Sequence, residues 1–272
     1  MMKMNWIVVG AAALAAGCIE SRTVVTVKND GSGRIVVEEY MSPQLTAMMD
    51  QFKDTIAPGA TNKPATAADP LAMFADQIEK KNREFGGKAR LEKREPAANA
   101  AGWKGFRLTY AFDDVRQVLL PLGTSAEGDE EKPSDRMKVE FTPGRKAVLR
   151  LVPAADVDQP SGVSAAPASP PPEANPQMAA MMAPMFAGMR VSLAIAVDGR
   201  ITRNDGGYVA SDGKSVTLLD VPVDKLLGHA EAMKLMMDKS IGDAEKARLL
   251  AGLKIDGLQV TDVTRPVTIE FE

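Results

Sequence analysis

The sequence is poor in the residues from which most catalytic and metal sites are built. Its 272 residues include one cysteine and one histidine, and aromatic residues make up 5%. A single cysteine excludes a disulfide framework and a cysteine-built zinc site. A single histidine leaves no histidine pair for a metal centre and argues against histidine-dependent acid–base chemistry. We therefore predict a non-enzymatic protein that carries no metal ion or other cofactor.

The chain also lacks a strong excess of either charge. Lysine and arginine number 33, aspartate and glutamate number 36, and the formal net charge is −3. Non-specific nucleic-acid binding requires clustered basic side chains that displace counterions from phosphates, so we expect no nucleic-acid partner. Apolar residues make up 45% of the chain, which is ordinary for a globular protein.

The N-terminus has the layout of a secretory signal peptide. Lys3 supplies a positive charge, and residues 7–17 form an uninterrupted run of apolar and small residues. A helix of this length rises only about 16 Å, about half the thickness of a bilayer's hydrocarbon core. The run is therefore too short to span a membrane, and it is typical of a signal peptide that is removed.

The residues that end this run resemble the lipobox of bacterial lipoproteins, with the sequence Leu14-Ala-Ala-Gly-Cys18. In that family a diacylglycerol is attached to the cysteine thiol, and a dedicated peptidase cuts just before the cysteine. The small side chains of Ala16 and Gly17 suit a narrow protease cleft, and only a cysteine offers a thiolate for the lipid. Ala15 departs from the family pattern, which usually has leucine there. The alternative is an ordinary signal peptide that leaves Cys18 a free thiol.

The resemblance implies a cell-envelope protein whose partner is the membrane, reached through lipidated Cys18. Residues 1–17 would be removed, and acyl chains such as palmitate would anchor the remainder. Two or more such chains make anchoring stable. Ile19 is not the aspartate that resembles an inner-membrane retention signal. We therefore expect the periplasmic face of the outer membrane if the organism has two membranes.

The remaining chain shows alternating strand and helix patterns. A glycine-containing turn at 29–33 lies between β-branched runs at 22–28 and 34–40, which predicts a β-hairpin. Further strands are predicted at 88–95, 104–112, 136–142, 145–152, 190–198, 200–204, 206–210, 214–220, 259–261 and 267–271. Apolar residues at helical spacing predict helices near 42–52, 70–85, 177–188, 222–238 and 242–252.

These patterns predict an α+β fold in which a mainly antiparallel sheet packs with several amphipathic helices. Seven of the 18 prolines fall in 153–176, which we interpret as a linker or exposed loop between lobes 18–152 and 177–272. We expect one domain or two closely packed lobes, with independent lobes as the alternative. Val267, Ile269 and Phe271 alternate at period two, and we expect this last strand to pair with the first hairpin and close one sheet.

Methionines recur at helical spacing after the proline-rich segment. They are Met178, Met181, Met182, Met185 and Met189, and Met233, Met236 and Met237 repeat the spacing later. Thioethers form adaptable apolar surfaces for acyl chains or varied partners, and clusters of them ligate Cu(I). A helix face packed in the core explains the same spacing. Pro184 should kink the first helix, which favours a surface or groove.

Two features of the sequence have side chains that could serve catalysis or metal binding. Asp113 and Asp114 follow a predicted strand, and paired carboxylates serve general acid–base catalysis or bind Ca²⁺. The same position is typical of a helix N-cap. His229 lies in a predicted helix, and no Gly-x-Ser-x-Gly sequence presents a serine nucleophile to it, so we expect a structural histidine.

The order of these segments resembles a group of uncharacterised bacterial envelope lipoproteins. The resemblance rests on the lipobox, the hairpin turn with Asp30-Gly-Ser-Gly33, and the stretches 102–114 and 191–220. A looser likeness of layout exists to the LppM-type lipoprotein domain of mycobacteria. Neither resemblance implies an activity. We predict a lipid-anchored, non-enzymatic envelope protein that binds an amphiphile or another envelope component. A purely structural lipoprotein without a ligand and a carboxylate-dependent hydrolase are the alternatives.

Overall fold

Period-two alternation of apolar side chains builds two β-sheets that bury each other's inner faces. A computed structural model describes residues 19–44, 46–47, 82–121, 136–153, 187–238, 241, 243–262 and 265–272. The strands in chain order are β1 Ile19–Val27, β2 Gly33–Met41, β3 Arg90–Ala98, β4 Lys104–Phe112, β5 Leu119–Pro121, β6 Arg136–Thr142, β7 Ala147–Pro153, β8 Arg190–Val197, β9 Ile201–Asn204, β10 Tyr208–Val209, β11 Ser215–Pro222, β12 Gln259–Val260 and β13 Val267–Phe271.

The large sheet has eight strands in the order β10-β11-β8-β1-β2-β4-β3, with β12 also paired to β11. Strand β1 lies inside this sheet. It pairs antiparallel with β2 from Ile19↔Met41 to Val27↔Gly33, and parallel with β8 from Glu20↔Arg190 to Val27↔Val197. The β1–β8 pair joins parts of the chain about 170 residues apart, so this sheet depends on a long-range contact.

The small sheet has five strands in the order β5-β6-β7-β13-β9. All of its pairings are antiparallel. A 3-10 helix, Val115–Gln117, carries the chain from β4 of the large sheet to β5 of the small one. Strands from both sides of the proline-rich segment occur in both sheets, so neither half of the chain completes a sheet alone.

One hydrophobic core lies between the sheets. The large sheet contributes Val25, Ile35, Leu108 and Tyr110, and the small sheet contributes Met137, Leu149, Leu151, Ile269 and Phe271, all with no exposed surface. The β1–β2 turn packs directly on the small sheet, because a Cβ added to Gly31 would lie 2.9 Å from the Phe141 ring. Large buried side chains from both sheets therefore pack against each other in the described core.

The helices form a smaller cluster beside β11 and β12. They are α1 Val223–Leu227, α2 Ala230–Met237 and α3 Asp243–Ala251. Leu226, Ala232 and Leu250 are buried at their centre, with Leu235 and Leu258 packed around them. This cluster is separate from the core between the sheets.

The predicted α+β class is wrong, because the described chain is mostly β. We expected several amphipathic helices to form one layer of the core. Both inner faces are instead sheet, since strands of both sheets alternate buried and outward residues and so cover each other. The predicted helices at 222–238 and 242–252 are present but short, and those predicted at 42–52, 70–85 and 177–188 lie mostly outside the described residues.

The individual strands were predicted more accurately than their partners. The first hairpin is confirmed, as is the alternation of Val267, Ile269 and Phe271, which are all buried. The expected pairing of this last strand with the first hairpin is wrong. Strand β13 lies between β7 and β9 in the small sheet, and β8 is the strand that pairs with β1.

Gly105 provides a test of the close packing of β2 and β4. A Cβ at this position would lie 1.8 Å from the Glu39 carbonyl oxygen and 2.8 Å from the Tyr40 Cα. Both are backbone atoms that cannot move aside locally, so Gly105→Ala should lower the free energy of unfolding by about 3 kcal/mol in chemical denaturation. The matched control is Gly228→Ala. Gly228 has φ −75° and only an ordinary contact of 3.5 Å to the Lys225 carbonyl oxygen, so we expect little change there. Similar losses in both variants would contradict the described packing.

Candidate functional site

The end of the large sheet at which β1 begins directly follows Cys18 along the chain. Ile19 pairs with Met41, Met41 with Lys104, and Lys104 with Ala98, so these four residues form one row across β1, β2, β4 and β3. We call this row, with the β3–β4 turn that extends beyond it, the Ile19 end. Cys18 is the residue before Ile19, and adjacent Cα atoms are about 3.8 Å apart.

The β3–β4 turn runs from Asn99 to Trp103 and is organised by one side chain. The Asn99 carboxamide oxygen accepts hydrogen bonds from the backbone N–H groups of Ala101 at 3.0 Å and Trp103 at 2.8 Å. The Gly102 N–H donates to the Asn99 carbonyl at 2.9 Å, and the Asn99 N–H donates to the Trp103 carbonyl at 3.0 Å. The turn therefore satisfies most of its own backbone donors.

Asn99 also ties this turn to the start of β1. Its amide nitrogen donates to Glu20 Oε2 at 2.6 Å, and both residues are half-buried. Two strands, β2 and β4, lie between β1 and β3 in the sheet order, so the bond crosses the outer face of the sheet. A hydrogen bond to a carboxylate is stronger than one between neutral groups. The position of the turn is therefore coupled to the second residue after Cys18.

Other polar groups surround Glu20. Arg190, its partner in β8, donates two hydrogen bonds of 2.5 Å to the Asp220 carboxylate. These bonds raise the pKa of Arg190, and the negative charges of Asp220, Glu20 and Asp224 contribute less. Burial raises the pKa of the neighbouring Tyr40 phenol, and the negative charge of Glu38 adds to that shift. The charges on this part of the outer face are thus largely paired.

The residues beyond the row are small or apolar. Ala100, Ala101 and Gly102 are exposed at the tip of the turn, and Trp103 is half-buried. The outer edge of the Trp103 indole packs against residue 188, where a Cβ added to Gly188 would lie 3.0 Å from the ring. The exposed Ala187 directly precedes this contact. The turn and residues 187–188 therefore bring uncharged side chains together at the Ile19 end, next to the Asp224 carboxylate, which accepts a hydrogen bond from the Gly188 N–H at 3.4 Å.

Most of the residues that we predicted from sequence for lipidation or binding fall outside the described chain. They are Cys18, Met178, Met181, Met182 and Met185. Met189 is described and half-buried, and its carbonyl oxygen accepts a hydrogen bond from the Val223 N–H at 2.9 Å. Met233 in α2 is also half-buried. The proposed roles of the methionine stripe therefore stay predictions.

Asp113 and Asp114 have different partners. The Asp114 carboxylate caps the 3-10 helix by accepting the Arg116 N–H at 2.9 Å, and it also binds the Arg116 guanidinium at 2.7 Å. The Asp113 side chain is 90% exposed and lies 3.5 Å from the Arg90 guanidinium. The N-cap alternative is therefore confirmed for Asp114. Each carboxylate faces an arginine on a different part of the chain.

His229 lies between two helices rather than within one. It is the N-cap of α2, where its Nδ1 accepts a hydrogen bond from the Ala232 N–H at 3.4 Å. The predicted helix 222–238 is interrupted at Gly228, which ends α1. His229 thus has a structural role, as its sequence context predicted.

Two searches were negative within the described part of the chain. No group of three or more histidine, cysteine, aspartate or glutamate side chains is arranged to hold a metal ion. No described helix is both long enough and apolar enough to cross a bilayer.

The sequence did not indicate the contacts that organise the Ile19 end. The Gly-Trp sequence is typical of a turn and coincides with the β3–β4 turn. Glu20 and Asn99, however, are 79 residues apart, and no sequence pattern relates them. The register of β1, β2, β4 and β3 brings them together. An asparagine that opens a tight turn is a local signal that could also have indicated this position.

Comparisons with known proteins add little to this geometry. No protein-family model and no curated protein matches the chain. Among solved structures, the chain is similar to the folded domain of the LppM protein of Mycobacterium tuberculosis, determined by NMR. The identity is 10%, the match covers 93% of this chain and 90% of that chain, and the TM-score is 0.32. A TM-score of this size supports no inference about fold or function.

The two aspartates provide a matched pair for a pH test. Hydrogen bonds from Arg116 hold the pKa of Asp114 below its ordinary value of 3.8, although burial opposes the shift. Because the pKa is lower in the folded state, Asp114 stabilises the fold above its unfolded pKa, and this contribution disappears as the pH falls through the folded value. Asp114→Ala should therefore cost about 1 kcal/mol of unfolding free energy at neutral pH.

The same loss should begin to shrink as the pH falls below about 4, where Asp114 of the unfolded chain becomes protonated, and it should disappear below the lowered pKa of the folded carboxylate. The control is Asp113→Ala, which removes only an exposed pair and should change stability by less than about 0.5 kcal/mol. A loss at Asp114 that persists undiminished in acid would contradict the assigned cap.

Proposed function

We propose that this chain is a lipid-anchored protein of the cell envelope, non-enzymatic in type, whose folded domain binds an amphiphile or another envelope component. Cys18 carries the lipid in this proposal. In an organism with two membranes, the domain would face the periplasm from the outer membrane.

The observation that carries the proposal is the position at which the first described strand begins. Strand β1 starts at Ile19, the residue directly after the cysteine of the lipobox-like sequence. A lipid on Cys18 would therefore hold the sandwich against the bilayer with no intervening tether. A domain in that position meets membrane lipids and the other proteins of the same surface, which are the partners that we propose.

The described side chains that a hydrolase mechanism would need make other contacts in the structure. His229 caps a helix, Asp114 caps the 3-10 helix and binds Arg116, and Asp113 projects into solvent beside Arg90. A nucleophile or acid–base pair needs side chains within hydrogen-bond reach of one another. These contacts support a binding or structural protein over the carboxylate-dependent hydrolase.

The large buried side chains between the sheets favour a second candidate, a structural lipoprotein with no ligand. Phe106, Tyr110 and Phe271 are among the large side chains that occupy the space between the sheets. A ligand in the first candidate would therefore bind at an outer face or an end of the sheets. The two candidates share the lipid anchor and differ in whether that outer surface retains a ligand.

The anchor is tested by metabolic labelling with palmitate in a bacterial host that processes lipoproteins. The native chain should be labelled and recovered with membranes, whereas Cys18→Ser should lose the label because no other thiol is present. The control is Cys18→Ser combined with Ser21→Cys, which keeps one thiol three residues away but outside the lipobox-like sequence. Loss of label in both variants supports the proposal, and an unlabelled native chain would overturn it.

Ligand binding is tested by native mass spectrometry of the processed full chain released from detergent micelles. The first candidate predicts mass beyond the covalent lipid, either a retained amphiphile or a co-purifying protein. The Cys18→Ser variant separates covalent from bound lipid, since it should retain the bound species alone. A native chain that carries covalent lipid and nothing else would reject the first candidate in favour of the structural one.

A further inference from the structure

We propose that the β3–β4 turn, Asn99–Trp103, is a second membrane contact, which docks on the phospholipid surface beside lipidated Cys18. The contact would orient the sandwich so that the strands of the large sheet run away from the bilayer. This inference rests on the proposed lipid anchor and adds the surface that faces the membrane.

The register of the large sheet places the turn at the level of the anchor. Ile19 and Ala98 lie in one row, three strand spacings apart, which corresponds to about 14 Å across the sheet. The turn Asn99–Trp103 follows Ala98 at the end of the sheet where β1 begins, and its contacts with Glu20 in β1 and with Gly188 just before β8 hold it beside the start of β1. When Cys18 is held at the lipid headgroups, the turn therefore lies at about the same depth.

The turns at the two ends of the large sheet differ in charge. The β3–β4 turn consists of asparagine, alanine, glycine and tryptophan, with no charged side chain. At the opposite end, the β1–β2 turn exposes Lys28 and Asp30, and the β10–β11 turn exposes Asp212 and Lys214. The start of α1, with Asp224 and the exposed Lys225, lies at the same end of the sheet as the turn, beyond β8 and β11. Burying a charge in a membrane is costly, so the uncharged β3–β4 turn is the part of this end that is suited to the bilayer.

The hydrogen bonding of the turn also suits an environment with little water. An unsatisfied backbone N–H is costly in lipid, and the N–H groups of Ala101, Gly102 and Trp103 all donate within the turn. The Asn99 amide and the nearby Arg190 guanidinium partly offset the charge of Glu20. The exposed tip thus presents the methyl groups of Ala100 and Ala101 and the main chain of Gly102.

Trp103 and Lys104 are residue types that favour the headgroup region of a membrane. Tryptophan prefers the headgroup region, where its ring meets both apolar and polar surroundings. Packing against Gly188 holds the Trp103 ring at this end of the sheet. The exposed Lys104 follows directly and can place its ammonium group among lipid phosphates. Such a contact is weak alone, but the anchor on Cys18 raises its effective concentration at the surface.

The test is quenching of Trp103 fluorescence by phospholipids that carry bromine on their acyl chains. The sequence contains one other tryptophan, Trp6, so the Trp6→Phe background makes Trp103 the sole emitter whether or not the signal peptide is removed. The processed full chain is reconstituted into vesicles of phosphatidylcholine with a minor share of phosphatidylglycerol, and vesicle flotation is measured in parallel.

We expect brominated lipid to quench Trp103 and to leave flotation unchanged. Ala101→Asp, which places a charge at the exposed tip, should abolish the quenching while the protein still floats. The control Ser211→Asp adds the same charge to an exposed turn at the opposite end, and it should leave the quenching intact. Thermal unfolding of each variant in detergent confirms that the fold is retained.

The outcomes separate this inference from the proposed function. A chain that does not float with vesicles would overturn the lipid anchor and the inference with it. A chain that floats but shows no quenching, or whose quenching persists in Ala101→Asp, would overturn the docking of the turn and leave the anchor standing. Quenching that both aspartate variants remove equally would also overturn the assignment of the Ile19 end.

Discussion

The fold depends on strand β1 being paired along both of its edges. Strand β2 lies on one side, and β8, from the far side of the proline-rich segment, lies on the other. The residue after Cys18 is thus fixed inside an eight-stranded sheet rather than at a free edge. A lipid on that cysteine would be attached at the end of an interior strand, and it would restrict how the sheet is oriented relative to the bilayer.

The same geometry connects the fold to its proposed role. Because β1, β2, β4 and β3 begin or end in one row, a single end of the sheet carries Ile19, the Asn99–Trp103 turn and the Gly188 contact. Glu20 and Asn99 couple the anchor region to the turn through one charge-assisted hydrogen bond. The titratable groups elsewhere, such as Asp114 and His229, serve as helix caps.

Local pattern predicted the elements of this fold better than their arrangement. The turn at 29–33 and the alternation at 267–271 indicated strands and their buried faces, because both are local properties of the chain. Which strands pair with each other depends on residues that are far apart in the chain. No local sequence pattern therefore indicated the pairing of β1 with β8 or the position of β13 in the small sheet. The predicted α+β class failed for the same reason, since helical spacing does not show whether a helix or a second sheet covers a given face. At the site, the lipobox-like sequence and the strands at 88–95 and 104–112 could be recognised locally, whereas the contact between Glu20 and Asn99 requires the folded register.

The central claim is that the chain matures at a lipidated Cys18 directly attached to β1. Mass spectrometry of the N-terminal tryptic peptide tests it most directly, because cleavage after Arg22 yields a peptide of five residues beginning at Cys18. The account predicts this peptide with the added mass of a diacylglyceryl group, and of an amide-linked acyl chain where the host supplies one. An unmodified peptide, or a mature chain that begins at another residue, would contradict it.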